Sequence, residues 1–278
     1  MPEHIADRVV VITGAGSGFG RLLSQKCAAL GARVVCADVE QATLDETVSA
    51  ITEAGGAAIG QQTDVTDAAS VQSLAQRAVD TYGAIDVLVN NAGTMPLAFY
   101  RDHAQALDAW ARCIDVNIKG VLHGIAAVFD QMIEQGRGHV VNISSIYDNF
   151  PVEGAGVYGA TKSAVNFLSE SLRVEGQGKI KVTVVRPTGV PATNLANSII
   201  NPEAIVGITG QNSAAVAAKR EAALAGQLPA SELDRDSIEY FNLDPDSLTD
   251  QILYAINQPW GVSIAEVTVR AAGEPFIL

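Results

Sequence analysis

The chain has 278 residues, 48% hydrophobic and 18% charged, which is ample material for one large α/β core and too apolar a composition for a disordered segment. A formal net charge of −13 makes phosphate backbones and anionic membrane surfaces poor partners, so neither nucleic acid nor membrane is expected. The opening stretch "MPEHIADR" lacks the basic and apolar pattern of a secretory signal, and no apolar run is long enough to span a bilayer. Cys27, Cys36 and Cys113 are widely spread, fitting neither a disulfide framework nor a metal knuckle, so no metal and a reducing, cytoplasmic setting are expected.

In chain order, short β-branched runs appear at 8–13, 33–37, 57–63, 85–90, 138–144 and 181–186, with a last one at 264–270. Stretches of helical period lie between them at 18–30, 41–54, 68–82, 104–135 and 156–175, with another near 246–257. Strands apolar on both faces, alternating with helices, predict about seven parallel strands in a doubly wound α/β sheet with helices on both faces. The rhythm breaks between about 194 and 245, where a helical stretch at 213–226 and the acidic run "SELDRDSIE" replace strands. With no internal repeat and no linker, residues 1–278 read as a single Rossmann domain with an inserted flap.

The first strand runs straight into "TGAGSGFG", Thr13 to Gly20, and then into a helix. At such a junction Gly14 permits the tight turn, Gly18 lets a pyrophosphate approach the backbone, and Gly20 lets helix and strand pack closely. Free amides and the positive helix end then face the phosphates. Asp38 ends the second strand, 24 residues after Gly14, where a carboxylate can accept from an adenosine ribose diol and repel a 2′-phosphate. No Arg or Lys follows in "ADVEQAT" and Ser17 is uncharged, which favours NAD over NADP. Further on, "VYGATKSAV" sets Tyr158 and Lys162 one helical turn apart, as either a surface coincidence or an acid–base pair.

These segments together resemble the classical short-chain dehydrogenase/reductase family, from about residue 6 to 193 and again near 246–270. By that resemblance Gly14, Ser17, Gly18, Phe19 and Gly20 form the cofactor loop, and Asp64 and Val65 contact the adenine. Asn91, Ala92 and Gly93 of "NNAG" line the cofactor, while Asn117, Ser145, Tyr158 and Lys162 form the catalytic set. The family's serine precedes its tyrosine by 13 residues, which selects Ser145 over Ser144. The resemblance also implies that Asn117 anchors a water beside Lys162, although its side chain could equally satisfy backbone groups. After the sixth strand, "RPTGVPATNL" keeps the family's spacing at Pro187 and Val190, but Thr188 replaces a glycine and Thr193 comes one residue late.

The chemistry follows from residue type. Removing hydride from a carbinol carbon needs a base for the hydroxyl proton, and free tyrosine, with a pKa of about 10, is too weakly acidic. A lysine ammonium within roughly 4–5 Å would favour the phenolate by roughly 3–4 kcal/mol at an effective dielectric of ~20, so Lys162 is expected to lower the pKa of Tyr158. Ser145 would hold the substrate oxygen.

The early flap, 195–210, is mostly apolar without Lys or Arg, favouring an uncharged, fairly apolar alcohol or ketone. Arg220 and Arg235, later in the flap, keep acidic substrates open. Met95, Pro96, Tyr147, Phe150, Val152 and Leu195 are candidate pocket walls, or core. Rivals are a non-catalytic NAD-binding regulator, against which the complete set of Asn117, Ser145, Tyr158 and Lys162 argues, and a halohydrin-dehalogenase-like lyase, for which the intact glycine loop and Lys162 leave little room. The resemblance further implies a homodimer or homotetramer through the helices at 104–135 and 156–175, where Val165, Leu168 and Leu172 could face either partner or sheet.

Overall fold

Val9 to Thr13 form strand β1, and every one of its residues is buried. Val10 and Ile12 point into one apolar layer while Val9 and Val11 point into the other, so a continuous apolar run is what a strand covered on both faces requires. The computed structural model describes residues 4–190 and 194–277. After β1 come α1 (Gly18–Ala29), β2 (Arg33–Asp38), α2 (Gln41–Glu53), β3 (Ala57–Gln62), α3 (Ala68–Tyr82) and β4 (Val87–Asn90). Then follow α4 (His103–Ile114), α5 (Gly120–Gln135), β5 (Gly138–Ile143), α6 (Gly156–Glu175) and β6 (Ile180–Pro187). The flap carries α7 (Val206–Thr209), α8 (Ser213–Leu224) and α9 (Ala230–Leu233), and α10 (Pro245–Ile256) and β7 (Glu266–Val269) close the fold.

All seven strands are parallel, in the order β3-β2-β1-β4-β5-β6-β7, with Val10 paired to Val34 on one side and Val87 on the other. The doubly wound sheet expected from the alternation is therefore present, with strand ends shifted by at most two residues from the sequence reading. Helices α1, α2 and α10 cover one face through Leu23, Cys27, Leu44, Ile51, Leu248 and Ile252. Helices α3, α5 and α6 cover the other through Leu74, Ala78, Val128, Met132 and Leu172. Each such side chain contributes roughly 1.5–3 kcal/mol when fully buried. The chain reverses its winding direction between β1 and β4, and a crevice opens beyond the carboxyl ends of these strands, where open α/β sheets bind ligands.

One helix boundary departs from the sequence reading. The stretch 104–135 reads as a single helix, but a π-helical turn over Asp115–Lys119 divides it into α4 and α5. Asn117 lies in that turn, with its amide spent on the backbone of Thr94, and just beyond it Gly120 passes Val65 so closely that a Cβ would meet Val65 Cγ2 at 2.9 Å. The extra residue in the turn thus serves a tertiary contact, and helical periodicity carries no sign of it.

Candidate active site

Gly14 has φ +67, a conformation open to glycine at little cost, and Ala15 N–H beyond it donates to the carbonyl of Ala37 on β2. A Cβ on Gly20 would stand 2.1 Å from the Gly14 carbonyl oxygen, so the first turn of α1 can lie against the loop only without a side chain there. Gly20 thus takes the packing role expected of it and does not itself line the cavity. Ser17 caps α1 without a side-chain hydrogen bond and no acidic residue stands in the first turn, leaving that helix end suited to an anion. Asp38 braces the loop: its Oδ2 accepts from Gly16 N–H at 2.8 Å and its Oδ1 from Glu40 N–H at 3.0 Å. Arg21 fastens it from the other side, donating to the carbonyls of Gly16 and Thr43.

The crevice is a cavity of about 760 Å³ that runs from this loop to the flap. Gly14, Ser17, Gly18, Phe19, Asp38, Asp64, Val65, Asn91, Ala92 and Gly93 line one end, and Ser145, Tyr158, Lys162, Pro187 and Val190 line its middle. Residues spread over the first 190 positions are thus gathered on one surface. Asn91 locks its segment to β1, donating to the carbonyls of Thr13 at 2.8 Å and Gly14 at 3.2 Å. Thr193 lies outside the described residues.

The two adjacent serines are separated by their partners. Ser144 donates to Asp148 Oδ2 at 2.5 Å and also bonds the Lys162 carbonyl, while Asp148 is itself gripped by Arg186 at 3.0 Å. Ser145, by contrast, accepts from Tyr147 N–H, and its hydroxyl acts on the Tyr158 phenol, drawing the phenol's pKa down against the push of burial. Tyr158 is 3% exposed and its ring meets that of Tyr147 edge to face at 5.4 Å.

Asn117 and Lys162 differ from the sequence reading in detail. Asn117 is buried: its Oδ1 accepts from Thr94 N–H at 3.0 Å, and its amide donates to the Thr94 carbonyl at 2.9 Å and Thr161 Oγ1 at 3.1 Å. Its side chain takes the backbone-satisfying role and does not border the cavity. Lys162 Nζ donates to the Ile143 carbonyl at 2.7 Å and stands 5.7 Å from the centre of the Tyr158 ring. Burial lowers the Lys162 pKa to about 8, and burial raises that of Tyr158 well above the ordinary phenol range, against the opposing pull of Ser145. The expected depression of the Tyr158 pKa by Lys162 is therefore absent with the protein's own groups alone, because desolvation of the phenol outweighs a lysine engaged elsewhere.

The flap closes the far end with Leu195, Ile199, Ile205, Ile208, Val216 and Arg220. Met95, Tyr147 and Leu195 line the cavity as expected, whereas Pro96, Phe150 and Val152 do not; Phe150 is 63% exposed. Sequence reading missed Phe241 and Asn242 after α9 and Phe276 near the C-terminal end. Nothing local marks them: Phe276 arrives because Ile277 N–H donates to the Ile208 carbonyl and Asn212 bonds the Pro275 carbonyl, laying the last segment along the flap. Arg235, the other flap cation, pairs with Asp244 and Asp246 and takes no part in the lining.

Comparison with known proteins places this geometry in context. The family model described as short chain dehydrogenase matches residues 8–204. An oxidoreductase of Listeria monocytogenes is 33% identical over 98% of this chain and 99% of its own length. A short chain dehydrogenase/reductase from Burkholderia phymatum, solved in complex with NAD, superposes with a TM-score of 0.75 at 31% identity, covering 96% of this chain and 90% of that one. The closed form of a serine dehydrogenase complexed with NADP+ also gives 0.75, at 26% identity and 94% of both chains.

Proposed function

The chain belongs to the short-chain dehydrogenase/reductase family and is an oxidoreductase of that type, and from this premise we propose that it moves hydride between a secondary alcohol or its ketone and NAD. The observation that carries the reading is the single cavity bordered at once by the glycine loop, Asp38, Ser145, Tyr158 and Lys162. The loop fits a dinucleotide: a glycine at φ +67, an uncapped helix end without acidic side chains, and a close approach that any Cβ on Gly20 would block. Relatives hold NAD in one structure and NADP in another, so the choice rests on Asp38, whose carboxylate stands at the end of β2 without a cationic neighbour in the cavity wall beside it.

NAD, when bound, supplies the acceptor for the hydride that leaves the carbinol carbon. The protein's part is to hold the substrate oxygen and move its proton. Ser145 holds that oxygen next to Tyr158, and Tyr158 Oη takes the proton in oxidation and returns it in reduction. Lys162, already buried beside Tyr158, holds ribose hydroxyls and adds positive charge near the phenol once its amine leaves Ile143. Asn117 acts behind them by fixing the Thr94 segment and the Thr161 hydroxyl of α6. Ile199, Ile205, Ile208, Val216 and Phe276 give the substrate end an apolar wall.

Self-association completes the proposal. Leu107 on α4, Leu122 on α5, and Phe167 and Val174 on α6 are exposed apolar side chains, which supports a homodimer or homotetramer through these helices. Val165 and Leu172 are instead buried within the monomer. Three buried free cysteines accord with a reducing, cytoplasmic location.

The test is nicotinamide absorbance with NAD and NADP and a panel of secondary alcohols and ketones graded in size and charge, with Tyr158→Phe alongside. A hit preferring NAD and lost in Tyr158→Phe is expected. Turnover that survives Tyr158→Phe would remove the acid–base role.

A further inference from the structure

Within α8, Val216, Arg220, Ala223 and Leu224 all border the cavity. Their spacing of three and four residues is one stripe of a helix, so Arg220 stands on the same face as Val216, which is 3% exposed. Its neighbour Lys219 belongs to a different stripe and pairs with Glu232 at 2.9 Å. Arg220 itself makes no hydrogen bond or ion pair among the described residues, in a chain with 31 acidic and 18 basic side chains. Its side chain is exposed at the rim of the cavity it borders.

Tyr147 supplies a second donor. It is 6% exposed, lines the cavity, and its hydroxyl meets no hydrogen-bond partner among the described residues. The Arg220 charge reaches this phenol, opposing the upward push that burial gives its pKa. The Tyr147 ring in turn rests against that of Tyr158. A guanidinium at the cavity rim and a phenol hydroxyl without a hydrogen-bond partner among the described residues therefore share the substrate end of the cavity, the phenol ring resting against the proposed acid–base group.

We infer that Arg220 and Tyr147 form a carboxylate subsite, and that the substrate is a hydroxy acid or oxo acid whose apolar body lies along Ile205, Ile208, Val216 and Phe276. This rests on the dehydrogenase reading and deepens it, and it replaces the uncharged substrate expected from the early flap with an amphipathic monoanion. A single guanidinium suits one carboxylate; a phosphate dianion or a coenzyme tail would call for several cations, and the remaining flap lining is apolar or neutral. In oxidation the carbinol C–H bond breaks with its electron pair passing to the nicotinamide dinucleotide as hydride. The O–H proton passes to Tyr158, and the carbon–oxygen double bond forms, with the carboxylate unchanged.

The experiment uses 4-oxopentanoate and 5-oxohexanoate, their methyl esters, and the corresponding hydroxy acids. Rates are measured with both nicotinamide cofactors, and binding by calorimetry. The intact protein is compared with Arg220→Ala, Arg220→Lys, Tyr147→Phe and Arg235→Ala, each checked for an unchanged melting temperature. The acids are expected to bind at least tenfold more tightly than the esters. Arg220→Ala should raise KM or Kd for the acids by roughly 10- to 100-fold, with kcat near wild type and the esters unaffected. Arg220→Lys should restore part of the loss, Tyr147→Phe should weaken the acids several-fold, and Arg235→Ala should change neither. Equal binding of acid and ester, or a loss in Arg220→Ala shared by both, overturns the subsite while leaving the dehydrogenase reading intact. Acids that bind through Arg220 with no turnover of any probe would leave the subsite standing and remove the substrate reading above it.

Discussion

Changing Asp38 to asparagine keeps the shape of the side chain and removes its charge. In the protein that carboxylate accepts Gly16 N–H at 2.8 Å and Glu40 N–H at 3.0 Å, so its position beside the loop is held from two sides. A 2′-phosphate carries about −1.5 to −2 at neutral pH. Placed ~5 Å from the carboxylate, it is repelled by roughly 1–7 kcal/mol across effective dielectrics of ~80 down to ~20. Asp38 is only half-buried, so the lower part of that range applies, and about 2–3 kcal/mol is roughly 30- to 150-fold in kcat/KM. Wild-type protein should therefore favour NAD over NADP by about that factor, and Asp38→Asn should reduce the ratio at least tenfold. Most of the change should come from improved NADP use, and a smaller part from the ribose acceptor lost to NAD. Adding Val39→Arg, at a 44% exposed residue in the cavity wall, should invert the preference. Initial rates with each cofactor give the ratio, and repeating them at higher salt should narrow it in the wild type but not in Asp38→Asn. A wild-type ratio below tenfold, or one that Asp38→Asn leaves unmoved, would refute the electrostatic argument.

Ser145→Ala should lower kcat by about 100-fold or more at nearly unchanged stability. Ser144→Ala should instead lose roughly 1–3 kcal/mol in denaturant titrations, because it removes a hydrogen bond to the buried Asp148 carboxylate and leaves Oδ2 to Arg186 alone. With the Tyr158 phenol raised by burial, alcohol oxidation should keep climbing as pH rises above 8, since only the phenolate accepts the proton; a pH–rate profile flat from 6 to 8 would contradict this. Lys162, lowered from 10.5 to about 8, binds its proton more weakly in the native state than in the unfolded chain. Between those values the unfolded chain holds more protons, so wild-type stability should rise with pH relative to Lys162→Met, by up to about 3 kcal/mol, in paired urea titrations. His139 is buried, with Nε2 on the Thr183 hydroxyl, which itself donates to Ile264, and with Nδ1 facing no acceptor. Burial lowers its pKa from 6.5 to about 3. Stability should therefore fall as pH drops below 6.5, by about 2 kcal/mol at pH ~5, and His139→Gln should flatten that slope.

What the sequence by itself determined is the framework: seven strands, most of the helices between them, the glycine loop, the acid at the end of β2, and the spacing that singles out Ser145, Tyr158 and Lys162. These are local signals. A strand covered on both faces must be apolar throughout, a loop at φ +67 needs glycine, and residues four apart share a helix face, so each leaves a mark within a few positions. The π-turn at Asp115–Lys119 and the attachment of Asn117 to Thr94 depend on segments brought together from elsewhere. The orientation of Lys162 toward Ile143 is of the same kind, since burial and a nearby carbonyl set it and the interval to Tyr158 does not. The substrate end was legible only in part: Tyr147 and Arg220 stood out as candidates, but not that they would share one cavity with Phe241 and Phe276. Tyr147, Arg220, Phe241 and Phe276 are separated by up to 129 positions and meet only because the flap and the final segment fold over the carboxyl ends of the strands. Their convergence is a property of packing, and no periodicity within any one of those segments records which side chains the others will bring.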